Sequence, residues 1–177
     1  SIDEQIAFRA DHLTVYQNDA LAARYKKLVD SVADEGLKLS VAKGYHKLLA
    51  YKDEYEVARL HLDTLRKAKQ TFEGDFSLSY HLAPPLLGGE VENGRPKKRE
   101  FGGGMLKWFR VLAGLKGLRG TRLDLFGYSE ERRMERALIT QYEQDMNEVL
   151  TSVSDATMEI AVALAELPLQ IRGFGPV

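Results

Sequence analysis

The sequence predicts a mainly α fold, a helical domain with one small antiparallel β-hairpin. Apolar residues recur at spacings of three and four through most of the chain, which is the period of an amphipathic helix. Only residues 76–82 alternate apolar and polar side chains, as a half-buried strand does. The 177 residues, 44% apolar and 29% charged, can bury one core, so we expect a single domain over residues 1–177.

The first half of the chain carries two helical patterns. Residues from about 19 to 34 have one apolar face, with Asn18 or Asp19 as the N-cap and Gly36 as the stop. Residues 40–66 follow the helical period again. This second pattern allows a bend near residues 52–53.

The predicted hairpin covers residues 76–101. Its first strand, residues 76–82, ends at the prolines 84 and 85. Asn93 and Gly94 suit a tight turn, because both residues tolerate positive φ. Residues 98–101 are then expected to return as the second strand.

Three helices are predicted in the second half. Residues 105–115 form a short one. Ser129 is the expected N-cap of a longer helix that runs to about residue 150, with two glutamates in its first turn. The last helix is expected from Ser154 or Asp155 through residue 164, with Pro168 just after its end. Trp108 and Phe126 are assigned to the core.

The composition excludes several chemistries. Without cysteine the chain has no disulfide, no thiolate ligand for an iron–sulfur cluster and no Cys nucleophile. Its four histidines lack the HxxxH and HExxH spacings of a helical metal site, so no metal is predicted. The glycines 102–104 lack the Lys-Ser/Thr of a P-loop, and Ser77 and Ser79 lack a GxSxG elbow.

No apolar run approaches the length that spans a bilayer, and no signal-peptide pattern opens the chain. We therefore expect a soluble, cytoplasmic protein that makes no membrane contact. Because the chain begins with Ser1 instead of Met and stops abruptly at GFGPV (173–177), we also expect it to be an excised fragment of a larger protein; a processed protein would have the same ends.

Charge is unevenly distributed along the chain. Residues 95–136 hold 12 Lys/Arg and 5 Asp/Glu, a balance of +7 in a chain of net charge −1. Such a stretch favours an acidic partner surface, a phosphate group or nucleic acid, whereas an ordinary solvated or intramolecularly paired surface is the simpler interpretation. It lacks the interleaved aromatics of a single-strand-binding surface, so no nucleic-acid partner is expected.

Two charged motifs, at residues 52–59 and 132–136, are candidates for function. Glu56 and Arg59, and likewise Arg132 and Glu135, are spaced to pair within one helix, and such local ion pairing is the simplest interpretation. Alternatively, an arginine cluster can grip a carboxylate or phosphate. We predict that the motifs approach each other in a partly buried ion-pair network. The candidate ligand or ion-pair residues are Lys52, Asp53, Glu54, Arg59, Arg99, Arg132, Arg133 and Arg136.

Six segments resemble the C-terminal domain of bacterial indolepyruvate ferredoxin oxidoreductases, and their order and spacing agree over nearly the whole chain. They are GYHKLLAYKDEYEVARL (44–60), FEGDF (72–76), HLAPPLL (81–87), GRPKKREFG (94–102), RGTRLDLFGYSEERRMER (119–136) and ELPLQIRGFG (166–175).

The resemblance implies an enzyme that decarboxylates arylpyruvates on thiamine diphosphate and passes electrons through iron–sulfur clusters to ferredoxin. The regions that bind these cofactors lie upstream in the family, so the resemblance implies none in this chain and no catalytic residue. It implies other domains or subunits of the same homo-oligomeric oxidoreductase, and ferredoxin, as partners. The C-terminal domain itself has no assigned function in the family.

Two functions are open at this point. The domain serves either as a structural and docking domain that uses the basic region 95–136, or as a ligand-binding lid. In the lid, Lys52, Arg59, Arg99 and Arg132 would reach the substrate carboxylate or a phosphate of coenzyme A.

Overall fold

The computed structural model describes residues 1–71 and 104–171, together with the backbone of four short strands between them. This part of the chain is mainly helical, which confirms the predicted class. No helix within it combines the length and the apolar character that crossing a bilayer requires. The helices are α1 (Ile2–Tyr16), α2 (Asp19–Asp30), α3 (Glu35–Leu49), α4 (Glu54–Thr71), α5 (Met105–Gly114), α6 (Glu130–Ser152) and α7 (Met158–Gln170). Short 3₁₀ turns at Leu115–Leu118 and Asp155–Thr157 follow α5 and precede α7.

The described strands pair two by two. Strand β1 (Tyr80–Leu82) runs antiparallel to β4 (Arg99–Phe101), and β2 (Val91–Glu92) runs antiparallel to β3 (Arg95–Pro96). The single hairpin predicted over residues 76–101 stays a prediction, because residues 72–79 and the segments between these strands lie outside the described residues.

The chain divides into two compact units. The described residues of the first unit come from 1–52 and 117–171, and those of the second from 53–116. Helices α1, α2, α3, α6 and α7 therefore belong to the first unit, and α4 and α5 to the second. The single domain expected over 1–177 stays a prediction.

Aromatic rings stack in the core of the first unit. The ring centroid of Tyr45 lies 6.0 Å from that of Tyr25 and 5.7 Å from that of Tyr142, with nearly parallel planes on both sides. Buried hydroxyls need a partner, and here each has one. Tyr25 donates to the carbonyl of Ala42 at 3.3 Å and Tyr142 to that of Ala165 at 2.9 Å. The stack thus ties α2, α3, α6 and α7 together.

Helix α1 is not among the helices predicted above. Ser1 opens it with a capping box, in which its side chain accepts from the backbone of Glu4 and the Glu4 carboxylate accepts from the Ser1 amine. Ile6, Ala10 and Leu13 form its buried face.

The boundary between α2 and α3 differs from the prediction. Asn18 is the N-cap of α2, as predicted, but the helix ends at Asp30. The Asp34 carboxylate accepts from the N–H of Leu37 at 2.8 Å and so starts α3 at Glu35. Gly36 therefore lies in the first turn of α3, and the predicted stop at this glycine is wrong.

Helix α7 also runs further than predicted. It begins at Met158 and continues through Pro168 to Gln170. Proline removes one backbone donor and crowds the carbonyl four residues earlier, which is why a helix end was predicted before this residue. Pro168 is nevertheless inside the helix and buried.

The second unit has a small core between α4 and α5. Ala58 and Phe109 are buried there, and the ring of His61 stacks on Phe109 with centroids 4.9 Å apart. Helix α5 spans Met105–Gly114, close to the predicted 105–115. Trp108, however, is 63% exposed, so its assignment to the core is wrong. One residue turns a helix by about 100°, so Phe109 faces the core where its neighbour does not.

Candidate functional site

The first charged motif is organised along α4. The Asp53 carboxylate, only 3% exposed, accepts from the N–H of Glu56 at 2.9 Å, as a capping carboxylate does. Arg59 donates to both carboxylate oxygens of Glu56, at 2.7 and 2.8 Å, and a third time to Asp63 at 2.8 Å. Arg66 reaches the other oxygen of Asp63. Acid and base thus alternate at helical spacing, which confirms the predicted Glu56–Arg59 pair.

This arrangement keeps Arg59 charged and holds its side chain in hydrogen bonds to residues of its own helix. Its hydrogen bonds to Glu56 raise its pKa above the ordinary value, against the opposing effect of burial. Its side chain is 21% exposed and that of Glu56 is 8% exposed, so the pair is largely withdrawn from water. The bidentate geometry is the strong form of this contact.

The second motif begins with Arg132, near the start of α6. Its guanidinium lies 2.5 Å from the carboxylate of Glu135, and the two side chains are 12% and 9% exposed. The same guanidinium approaches the backbone carbonyl of Lys52 at 3.4 Å and lies 5.5 Å from the ring centroid of Tyr51. The predicted Arg132–Glu135 pair is confirmed, and it fastens α6 to the segment after α3.

The other arginines of this motif differ in exposure. Arg133 is exposed. Arg136 is half-buried and donates through Nη2 to the carbonyl of Gly127, whereas its buried Nη1 has no hydrogen-bond partner among the described residues. A buried donor of this kind is unusual, and it could hold an additional acceptor.

The segment before α6 is held by a buried aspartate. Asp124 is 3% exposed and accepts from the N–H groups of Gly120 and Phe126. Arg119, 5% exposed, donates to the carbonyl of Tyr16 at 2.8 Å and lies 3.6 Å above the tyrosine ring. These contacts fix the path of residues 119–126 within the first unit.

The candidate residues differ in what their side chains already bind. Arg59 and Arg132 are in ion pairs within their own helices, and Asp53 caps α4. Lys52 is exposed and contributes its carbonyl to Arg132, while Glu54 is half-buried in the first turn of α4. The side chain of Arg99 lies outside the described residues. The network predicted between the two motifs stays a prediction.

Sequence reasoning missed a second charged cluster. Glu143 accepts from Arg24 at 2.6 and 2.8 Å and from the hydroxyl of Tyr45. Burial acts to raise the pKa of Glu143, but the hydrogen bonds from Arg24 and Tyr45 outweigh it and the pKa is lowered. The contributing residues lie 98 and 119 positions from Glu143. No local spacing could have indicated this cluster.

The first unit also has an open groove of about 530 Å³ between α6 and α7. Met146 and Val149 line it from α6, and Leu164 and Leu167 from α7. The last two are 40% and 50% exposed. Carboxylates of α6 lie at the edge of the groove. The groove therefore has an apolar lining and a negatively charged rim on the α6 side.

One protein-family model matches residues 2–177 and is described as a family of unknown function, DUF6537. Because the match covers almost the whole chain, the protein belongs to this family. No curated protein and no solved structure is found to match the chain.

Proposed function

We propose that this DUF6537 domain is a structural and docking domain of a thiamine-diphosphate-dependent indolepyruvate:ferredoxin oxidoreductase. The support is the six segments quoted above, whose order and spacing resemble the C-terminal domain of those enzymes. In such an enzyme thiamine diphosphate stabilises the carbanion left by decarboxylation. The present chain has no cysteine to ligate a cluster, so the proposal assigns both cofactors to other parts of the enzyme.

One observation favours docking over ligand binding. The arginines best placed to grip a substrate carboxylate already donate to their own chain. Arg59 makes three such hydrogen bonds, and Arg132 is held by Glu135 and the Lys52 carbonyl. A ligand would have to displace these partners and leave buried carboxylates unpaired, which is costly.

The docking surface of this proposal is the basic stretch, residues 95–136, including the expected hairpin that carries Arg99. Its balance of +7 would attract an acidic face of a neighbouring domain, of another subunit or of ferredoxin. The enzyme would be cytoplasmic and homo-oligomeric.

The test is charge reversal in the full-length oxidoreductase. Arg122 and Arg133 are exposed, so Arg122→Glu combined with Arg133→Glu should leave the fold intact. We expect weaker assembly with the other domains or subunits, or slower reduction of ferredoxin, while reduction of a small artificial dye is unchanged. Lys26→Glu with Lys27→Glu, an equal reversal on exposed positions of α2, is the matched control. Unchanged assembly and unchanged ferredoxin reduction would contradict the docking function.

The second candidate function is the ligand-binding lid, and it is favoured by the buried Nη1 of Arg136, for which the described residues provide no hydrogen-bond acceptor. In that case Arg136→Ala should raise the KM for the oxoacid or for coenzyme A. Arg132→Ala should also raise this KM without unfolding the domain, in addition to the loss of stability that follows from breaking its pair with Glu135. A lowered melting temperature with unchanged kinetics would leave both residues a structural role only.

A further inference from the structure

Among its described residues, the part of the first unit that follows Arg136 carries only negative side-chain charge. Residues 137–171 contain six Asp/Glu and no Lys or Arg. Two of these acids, Asp145 and Glu148, are exposed on α6 at the edge of the groove between α6 and α7. The exposed side chains of Leu164 and Leu167 form the facing apolar wall. Apolar surface rimmed by one sign of charge is typical of a protein-interaction site.

Helix α5 has the complementary composition. It contains no acidic residue and carries Lys107 and Arg110, both exposed. Trp108 and Val111 are 63% and 52% exposed and lie three positions apart, so they share one face of the helix. The opposite face is the one that packs on α4 through Phe109. Tryptophan and arginine are the residue types that often contribute most of the binding energy at protein interfaces, and both lie on this outward face.

Helix α5 and the groove also have similar lengths. The 10 residues of α5 extend about 15 Å at 1.5 Å per residue, and residues 138–149 of α6, which border the groove, extend a little further. A volume of about 530 Å³ is ample for an indole and a valine side chain.

We propose that the groove between α6 and α7 binds helix α5 of a second copy of this chain. Trp108 and Val111 would cover Leu164 and Leu167, and Lys107 and Arg110 would face Asp145 and Glu148. A second copy is favoured as the occupant because one chain carries both surfaces, and each surface has the charge that the other lacks.

The interface would be small, so the association is weak. For a contact at the low end of the size range we expect a Kd on the order of tens of micromolar. Because exposed charges guide it, raising the salt concentration should weaken it.

The test uses two variants of the chain, each with one surface removed. Trp108→Asp removes the helix surface and keeps the groove, whereas Leu167→Asp removes the groove and keeps the helix. Both positions are exposed, so both variants should fold, which circular dichroism and the melting temperature will check. We expect wild type to associate with rising concentration and each variant alone to stay monomeric.

Mixing the two variants should restore a 1:1 complex. The chain has a single tryptophan, so in the mixture only the Leu167→Asp copy has tryptophan fluorescence, which is excited selectively at wavelengths that tyrosine does not absorb. Its emission should shift to the blue as Trp108 enters the groove of the other copy. A chain with both substitutions is the matched control and should produce no shift.

Three results would overturn the proposal. Wild type that stays monomeric at about ten times the expected Kd would exclude it. Association that persists in either variant alone would place the contact elsewhere. A wild-type emission already shifted to the blue, lost in Leu167→Asp and independent of concentration, would place α5 in the groove of its own chain.

Discussion

Gly44 lies directly against the carbonyl of Ala165: a Cβ built on Gly44 would be 2.0 Å from that oxygen. Helix α3 meets α7 here at backbone distance, and the Tyr142 hydroxyl, which hydrogen-bonds the same carbonyl, would be 3.0 Å from the added carbon. Only a residue without a side chain permits this approach.

Gly44→Ala should therefore destabilise the first unit by about 1–3 kcal/mol, because α7 must move away or the backbone must strain. Urea unfolding followed by far-UV circular dichroism measures this. Gly114→Ala is the matched control, since a Cβ there meets nothing within 4 Å and alanine favours a helix. Equal stability of the two variants would show that α3 and α7 are not packed so closely.

The Arg132–Glu135 ion pair should contribute more to the free energy of unfolding than the neighbouring Arg133 does. Arg132→Ala leaves the 9% exposed Glu135 carboxylate without this partner, and we expect a loss of about 2–4 kcal/mol. The exposed Arg133 should tolerate alanine within about 0.5 kcal/mol. Thermal unfolding of both variants compares the effects, and similar melting temperatures would argue against a buried pair.

Acid should destabilise the first unit through His46. Burial, followed by the nearby charges of His12 and Arg9, lowers the pKa of His46 to about 4. The unfolded chain takes up the proton near pH 6.5, whereas the folded protein resists it. This contribution to stability is therefore intact above about pH 6.5 and is lost as the pH falls toward about 4, by up to roughly 3 kcal/mol.

Denaturant unfolding at several pH values between those limits tests this prediction. His46→Gln, which cannot titrate, should have a shallower pH dependence than wild type. The same slope in both proteins would assign the acid sensitivity to other groups.

The isolated chain should be folded without binding the cofactors of the proposed enzyme. We expect no thiamine diphosphate binding by calorimetry, no brown colour after anaerobic cluster reconstitution and no decarboxylation of indolepyruvate. The reason is the missing cysteine together with the upstream position of the cofactor regions that the resemblance implies. Turnover by the purified chain would contradict the assignment of catalysis to other domains.

Local chemistry in the sequence predicted some helix boundaries well. Ser129 and Asn18 accept from the backbone three residues on, as their side chains indicated. The signals for α1 were equally local, the Ser1–Glu4 capping box and the spacing of its apolar residues, so that helix could have been predicted. The helix end predicted at Gly36 was wrong because glycine often, but not always, follows the end of a helix. Here the Asp34 cap starts α3 just before this glycine.

Burial and long-range pairing were less accessible to the sequence. Spacing identified the pairs Glu56–Arg59 and Arg132–Glu135 because both partners share a helix. The Glu143 cluster joins three helices, and the exposure of Trp108 depends on which face of α5 packs on α4. Both follow from tertiary packing, which local patterns do not record.

The placement of aromatic residues gives each unit its own optical signal. The stacked tyrosines Tyr25, Tyr45 and Tyr142 all belong to the first unit, whereas Trp108 belongs to the second. Near-ultraviolet dichroism at tyrosine wavelengths therefore reports mainly on one half of the chain, and tryptophan fluorescence on the other. Coincident transitions of the two signals would mean one cooperative folding unit, and separated transitions would mean that one half melts while the other stays native.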